Sequence, residues 1–141
     1  MVPVSRAALF RRSDEGQAVV EFALIVPVLL LLVLGVVEFG RAWSAHQAVT
    51  DAAREGARLA VIADPTVTED SVRKAIRNAL SGASLNGQLA VIELSGVDDP
   101  TGEPARVAVR YPYQFSMLTK LQGINGGGAV TLGTAFVMRN E

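Results

Sequence analysis

From Phe22 to Val37 the chain carries no charged residue, and between Gln17 and Val37 the only ionisable side chain is Glu21. At about 1.5 Å of helical rise per residue, a run of this length crosses most of a hydrocarbon core about 30 Å thick. It exceeds the apolar region of roughly 7–15 residues found in secretory signal peptides, and no small-x-small cleavage site follows it closely. An uncleaved transmembrane span is the expectation. Half of the 141 residues are apolar and 19% are charged, and the apolar excess is concentrated in this run. The chain therefore reads as one membrane element attached to one soluble domain. A net charge of −1 gives no electrostatic basis for binding nucleic acid. The absence of cysteine excludes disulfides, thiolate metal sites and a cysteine nucleophile.

Arg6, Arg11 and Arg12 precede the span, whereas Glu38 and Arg41 just after it roughly cancel. By the positive-inside rule the N-terminus lies in the cytoplasm and the remaining hundred or so residues outside. Phe39 to Ala63 contains no proline and is rich in alanine, so the helix is expected to continue to about Ala63. Ala48, Ala52, Gly56 and Ala60 recur every four residues and form a ridge of small side chains, widened by Ala45, Ala53 and Ala57. Such a ridge allows close approach of another backbone, either from this chain's own domain or from a neighbouring subunit. Asp64-Pro65 ends the helix.

A second helix follows, with Thr66 and Glu69 as the expected capping box and Val72, Ile76, Ala79 and Leu80 as its apolar face. Glu69–Arg73 and Asp70–Lys74 are spaced as i,i+4 ion pairs, and Arg73, Lys74 and Arg77 read as a solvated face. The last third alternates with period two. Ala90, Ile92 and Leu94 form one strand, and Val107, Val109 and Tyr111 a second. Val130, Leu132, Thr134, Phe136 and Met138 form a third. The first two are joined through Asp98-Asp99-Pro100-Thr101-Gly102. Tyr111-Pro112-Tyr113 should end the second strand or mark an edge. One helical turn is expected over Met117–Leu121, and a flexible joint at Gly126-Gly127-Gly128. The fold class is α+β, a long N-terminal transmembrane helix extended into a domain with a second helix and a small antiparallel three-stranded sheet.

The motif Gly16-Gln17-Ala18-Val19-Val20-Glu21-Phe22 concentrates the chemistry. A glycine stands at the polar-to-apolar boundary, and a lone carboxylate follows inside a helix that otherwise avoids charge. A charge at the centre of a span costs about 2.5–3.5 kcal/mol, and less near the interface. Cutting after Gly16 would make a new ammonium group at Gln17, a ready partner for Glu21 in the same chain or a neighbouring one. Alternatively, Glu21 snorkels to the headgroups. Pro27 removes a backbone donor and should kink or open the helix.

The segment Gly16–Phe22 resembles the recognition site of a type IV prepilin peptidase. Ala18 through Pro27 with the following leucine run resembles the TadE-like family of tight-adherence pilus proteins. Val37-Glu38-Phe39-Gly40-Arg41 and Ala52-Ala53-Arg54-Glu55-Gly56-Ala57-Arg58 are also similar to that family. The resemblance implies a minor pilin or pseudopilin of the cytoplasmic membrane, cut after Gly16 by the peptidase and acting in pilus assembly and surface adhesion. It implies other pilin-like subunits and an inner-membrane assembly platform as partners, and incorporation into an extracellular pilus as one destination. It also divides the chain into a leader over 1–16, a transmembrane stem over 17–38 and an extracytoplasmic pilin-like domain over 39–141. The globular part is larger than that of a major Tad pilin, which implies a minor subunit. Glu21 and Phe22 are then the assembly residues.

Two other classes compete. An uncleaved, signal-anchored binding or scaffold protein shares the topology and lacks the processing. An enzyme would need a constellation that the sequence does not display. His46 is the sole histidine, and Glu38, Asp51 and Glu55 have no assignable acid–base partner. No catalytic residue, metal site or cofactor is expected.

Overall fold

The structure, a computed structural model, describes residues 6–62, 64, 66–97, 99, 102–115 and 129–140, with side chains from Gly16 onward. It has the expected α+β composition. Helix α1 spans Arg6–Ala60 and helix α2 Glu69–Gly82. A short 3-10 turn at Gly87–Leu89 leads into strands β1 (Val91–Ser95), β2 (Pro104–Gln114) and β3 (Ala129–Arg139). The chain divides into two compact units, Met1–Val37 and Glu38–Glu141. Helix α1 contributes to both, and Glu38 belongs to the second.

In the second unit, the three strands form an antiparallel sheet in the order β1-β2-β3. The pairings Ile92↔Val109, Val107↔Phe136 and Tyr111↔Leu132 set the alternating apolar residues of all three strands on one face. That face shares a core with Ala45, Val49, Ala52, Ala53, Ala57 and Ala60 of α1 and with Val72, Ile76 and Leu80 of α2. The helix thus supplies small residues and the sheet and α2 supply large ones. Gly56 marks a close approach of α1 to α2. A Cβ there would stand 2.5 Å from Ile76 Cδ1 and Cγ1 and 3.6 Å from Val107 Cγ1. The small-residue ridge is covered by this chain's own domain. Ala48 departs from the expected line and is half-buried at its flank.

Several local expectations need correction. Helix α1 stops at Ala60, short of Ala63, because its end tightens into turns in which Ile62 N–H donates to Leu59 O at 3.3 Å. The capping box of α2 lies two residues later than expected. Thr68 is the N-cap, Ser71 N–H donates to its hydroxyl, and the Ser71 hydroxyl accepts from Thr68 N–H. Thr66 is taken up elsewhere, donating from both backbone and hydroxyl to Asp64 Oδ1 at 2.8 and 2.7 Å. These bonds hold the Asp64 carboxyl below its ordinary value. Ala79 is exposed, so the buried face of α2 narrows to Val72, Ile76 and Leu80. Of the two ion pairs, Glu69–Arg73 forms at 3.1 Å and Asp70–Lys74 does not. Arg73 is more than solvated surface, since its Nη1 donates to Ile92 O at 2.7 Å and ties α2 to β1.

Strand β2 does not end at Tyr111. It runs through Pro112 to Gln114 and is the central strand. Pairing with β1 reaches only Arg110, opposite Val91, so Pro112 lies past the end of β1 and is locally at an edge. A missing N–H costs no ladder bond there. The β1–β2 connection is closed by Asn140, whose Nδ2 donates to Gly96 O at 2.9 Å and Asp99 O at 3.0 Å. Gly96 needs to be glycine, having φ +75° and a Cβ position blocked by Pro104 O. The turn expected over Met117–Leu121 and the joint at Gly126–Gly128 lie outside the described residues.

The contact at Gly56 yields a direct test. Gly56→Leu should lower the unfolding free energy by about 1–3 kcal/mol, as overpacking does. In denaturant melts of the detergent-solubilised chain, Gly56→Ala combined with Ile76→Ala should cost less than the two changes summed. Strict additivity would show that the close approach is not the cause.

Candidate functional site

The residues singled out near the start of the helix all lie on α1. Gly16 is exposed, with open space where a Cβ would stand. The Gly16–Gln17 bond lies within continuous helix. Gln17 Nε2 donates to Glu21 Oε1 at 3.1 Å, an i,i+4 contact on the exposed surface. Glu21 itself is exposed, and Phe22 is 68% exposed. These side chains are brought together by helical spacing alone, through one turn of a single helix. Pro27 is helical and α1 runs through it without an assigned break.

From Val19 to Val37 the large apolar side chains are mostly exposed, and none of the most apolar stretch of the helix is buried. A core helix of a soluble protein would hide these residues. The helix is long and apolar enough to cross a membrane.

The structure adds a group of residues at the start of the second unit. Glu38 is 1% exposed, a carboxylate within the domain. Arg41 Nη1 stands 3.9 Å from its Oε2. Tyr113 lies near both. Burial pushes the Tyr113 phenol above its ordinary value, the Glu38 carboxylate adds to that, and the Arg41 guanidinium opposes it. The Phe115 ring meets Tyr113 edge-on at 5.5 Å. Beside them a cavity of about 240 Å³ is lined by Arg41, Ser44, Ala45, Ala48, Leu85 and Tyr113, among others. The opposite flank of the helix carries Phe39 and Trp43, stacked at 6.5 Å, with His46 tilted against Trp43 at 6.2 Å.

Sequence reasoning treated Glu38 as a charge that cancels Arg41 and missed its burial. The signal was present in the spacing. Glu38, Ala42, Ala45, Val49, Ala52 and Gly56 follow the helical repeat, so Glu38 heads the face that enters the core. Among the described residues no group of His, Asp or Glu is arranged to hold a metal ion.

Together these features describe a chain whose long helix is apolar and exposed before Glu38 and packs within a small α+β domain after it. Residues 16–58 match the family model described as TadE-like protein. The match covers the exposed apolar stretch and most of the packed part of α1 and does not reach α2 or the sheet. No curated protein and no solved structure matches the chain.

The Tyr113 environment makes a pH-dependent prediction. A raised folded value means that the phenol's contribution to stability is intact below the ordinary value of about 10. It is lost as pH rises through the folded value. In the Tyr111→Phe chain Tyr113 is the remaining tyrosine. Its phenolate absorbance should appear above the pH of free tyrosine, and adding Glu38→Gln should bring it down. An unchanged midpoint on adding Glu38→Gln would remove Glu38 as a cause.

Proposed function

We propose that this chain is a membrane-anchored minor pilin or pseudopilin of a tight-adherence pilus, processed after Gly16 and acting in pilus assembly and surface adhesion. The observation that carries the reading is the TadE-like match over residues 16–58, which begins at the glycine of the candidate processing site. The exposed apolar helix supports a stem that crosses the cytoplasmic membrane, with the arginine-bearing N-terminus inside and the domain outside. A membrane aspartic prepilin peptidase of the cytoplasmic face is the processing enzyme. The partners are other pilin-like subunits and the inner-membrane assembly platform. The domain acts through binding, not catalysis.

Glu21 has a specific part in this reading. In the uncut chain its carboxylate already accepts from the Gln17 side chain. Processing adds an ammonium group at Gln17, one helical turn away. Within a bundle of stems, that ammonium on one chain meets Glu21 of the next and sets their axial offset. The interaction is strong there because the surrounding lipid and apolar side chains screen it little.

Two measurements test the proposal. Intact mass of the membrane-extracted protein should show a chain beginning at Gln17 when the cognate peptidase is present and at Met1 when it is absent. Gly16→Leu should abolish the shorter form, and normal processing of that variant would falsify the assigned cleavage site. A chain that begins at Met1 even with the peptidase would favour an uncleaved anchored scaffold. Glu21→Ala should leave membrane insertion intact and sharply reduce incorporation into pilus fractions. Undiminished incorporation would return Glu21 to a snorkelling role.

A further inference from the structure

Phe39 and Trp43 are 68% and 56% exposed, although they are the bulkiest apolar side chains in their part of the helix. Their rings stack at 6.5 Å with 22° between the planes. The domain covers the other flank of the same segment, where Glu38, Ala45 and Val49 are buried. The exposed flank changes character within one turn: after Trp43 come Gln47, Asp51 and Arg54, all exposed and polar. Arg41, between the two rings in sequence, has a side chain 52% exposed.

We infer that Phe39, Arg41 and Trp43 seat in the headgroup region of the bilayer and fix the depth at which the domain emerges from it. The inference rests on the membrane-anchored reading above. Three observations select lipid as the occupant. Phe39 stands two residues beyond the uncharged run, so chain connectivity alone holds it at the membrane boundary. The side-chain chemistry also fits. An indole has an apolar body and one N–H donor, and an arginine can lay its stem along apolar surface while its guanidinium meets phosphate. Outward of Trp43 the flank turns polar at Gln47, as it should where the headgroups give way to water. Burial of Glu38 within the domain fixes which residue of the helix the domain begins on, so the seat and the domain cannot slide relative to one another along the helix.

Trp43 is the only tryptophan and so reports its own depth. The full chain is placed in phosphatidylcholine nanodiscs, which leave both membrane faces open to solvent. Its fluorescence is then read with nitroxide-labelled lipids and with iodide. The expected result is quenching by a nitroxide near the glycerol about twofold stronger than by one near the acyl-chain end, as fits a ring at the interface, with little quenching by iodide. In a Trp43→Phe chain carrying Gln47→Trp, the reporter moves one turn outward and should become open to iodide. Strong iodide quenching of Trp43 without lipid quenching would place the ring in water and overturn the inference. Protection from both quenchers would mean that protein covers the ring, and would overturn it equally. Lipid quenching of the Gln47→Trp reporter equal to that of Trp43 would overturn the assigned depth. A chain that never co-elutes with lipid overturns the anchored reading as well, whereas the other failures leave that reading standing.

Discussion

The close approach at Gly56 is the constraint on which the second unit depends. A helix whose core face is alanine and glycine with a single valine, Val49, builds little of a core from its own side chains. It can only let other elements come near, and the volume then arrives from Ile76 and Leu80 of α2 and from Val107, Val109, Tyr111 and Tyr113 of β2. Dispersion contacts are worth little singly and fall off within an ångström of separation. The small ridge therefore converts backbone proximity into packing. The sheet in turn is held to the helices by polar ties at its margins: Arg73 to Ile92 O, and Asn86 N–H to the Tyr111 hydroxyl at 3.2 Å. The Arg54 guanidinium over the Phe136 ring at 5.4 Å adds a tie from α1 to β3.

Helix α1 meets two demands along its length. From Phe22 to Val37 its large side chains are apolar and unburied. After it, one flank is small and buried and the other becomes polar beyond Trp43. Glu38 stands at the change. Burying a carboxylate is costly unless it is compensated nearby, and Arg41 supplies a neighbouring positive charge. A charge placed on the core face at this position makes it unfavourable for the domain to pack one turn earlier, on the leucine-rich segment. The buried acid thus stands where exposed apolar helix gives way to helix packed in the domain.

Much of this was legible in the sequence because the strongest signals are periodic. The uncharged run, the four-residue spacing of small residues and the three alternating stretches each follow from a single repeat. Where the reading slipped, two local options competed. Thr66 and Thr68 both precede the second helix, and the residue types alone favoured the Thr66–Glu69 pair. Asp64 then engages Thr66, leaving Thr68 to cap with Ser71. Pro112 reads as a strand end in one dimension. Only the short reach of β1 shows why the strand passes through it. Glu38 was obscured because charge near a membrane boundary ordinarily means solvent. Gly16, Glu21 and their spacing are features of the sequence itself, while the exposure of the Phe39–Trp43 pair needed the structure's account of which helix flank is covered.

The Gly16–Gln17 bond lies inside a helix that begins ten residues earlier, at Arg6. In the processing proposed above, a peptidase would act on an opened stretch of backbone, so the reactive species would be a locally unwound minority, and the rate would follow its population when opening is fast. Glycine weakens a helix by about 1 kcal/mol relative to alanine, which enriches that population roughly fivefold at this turn. For the proposed cleavage, Gly16 would then act as a kinetic gate.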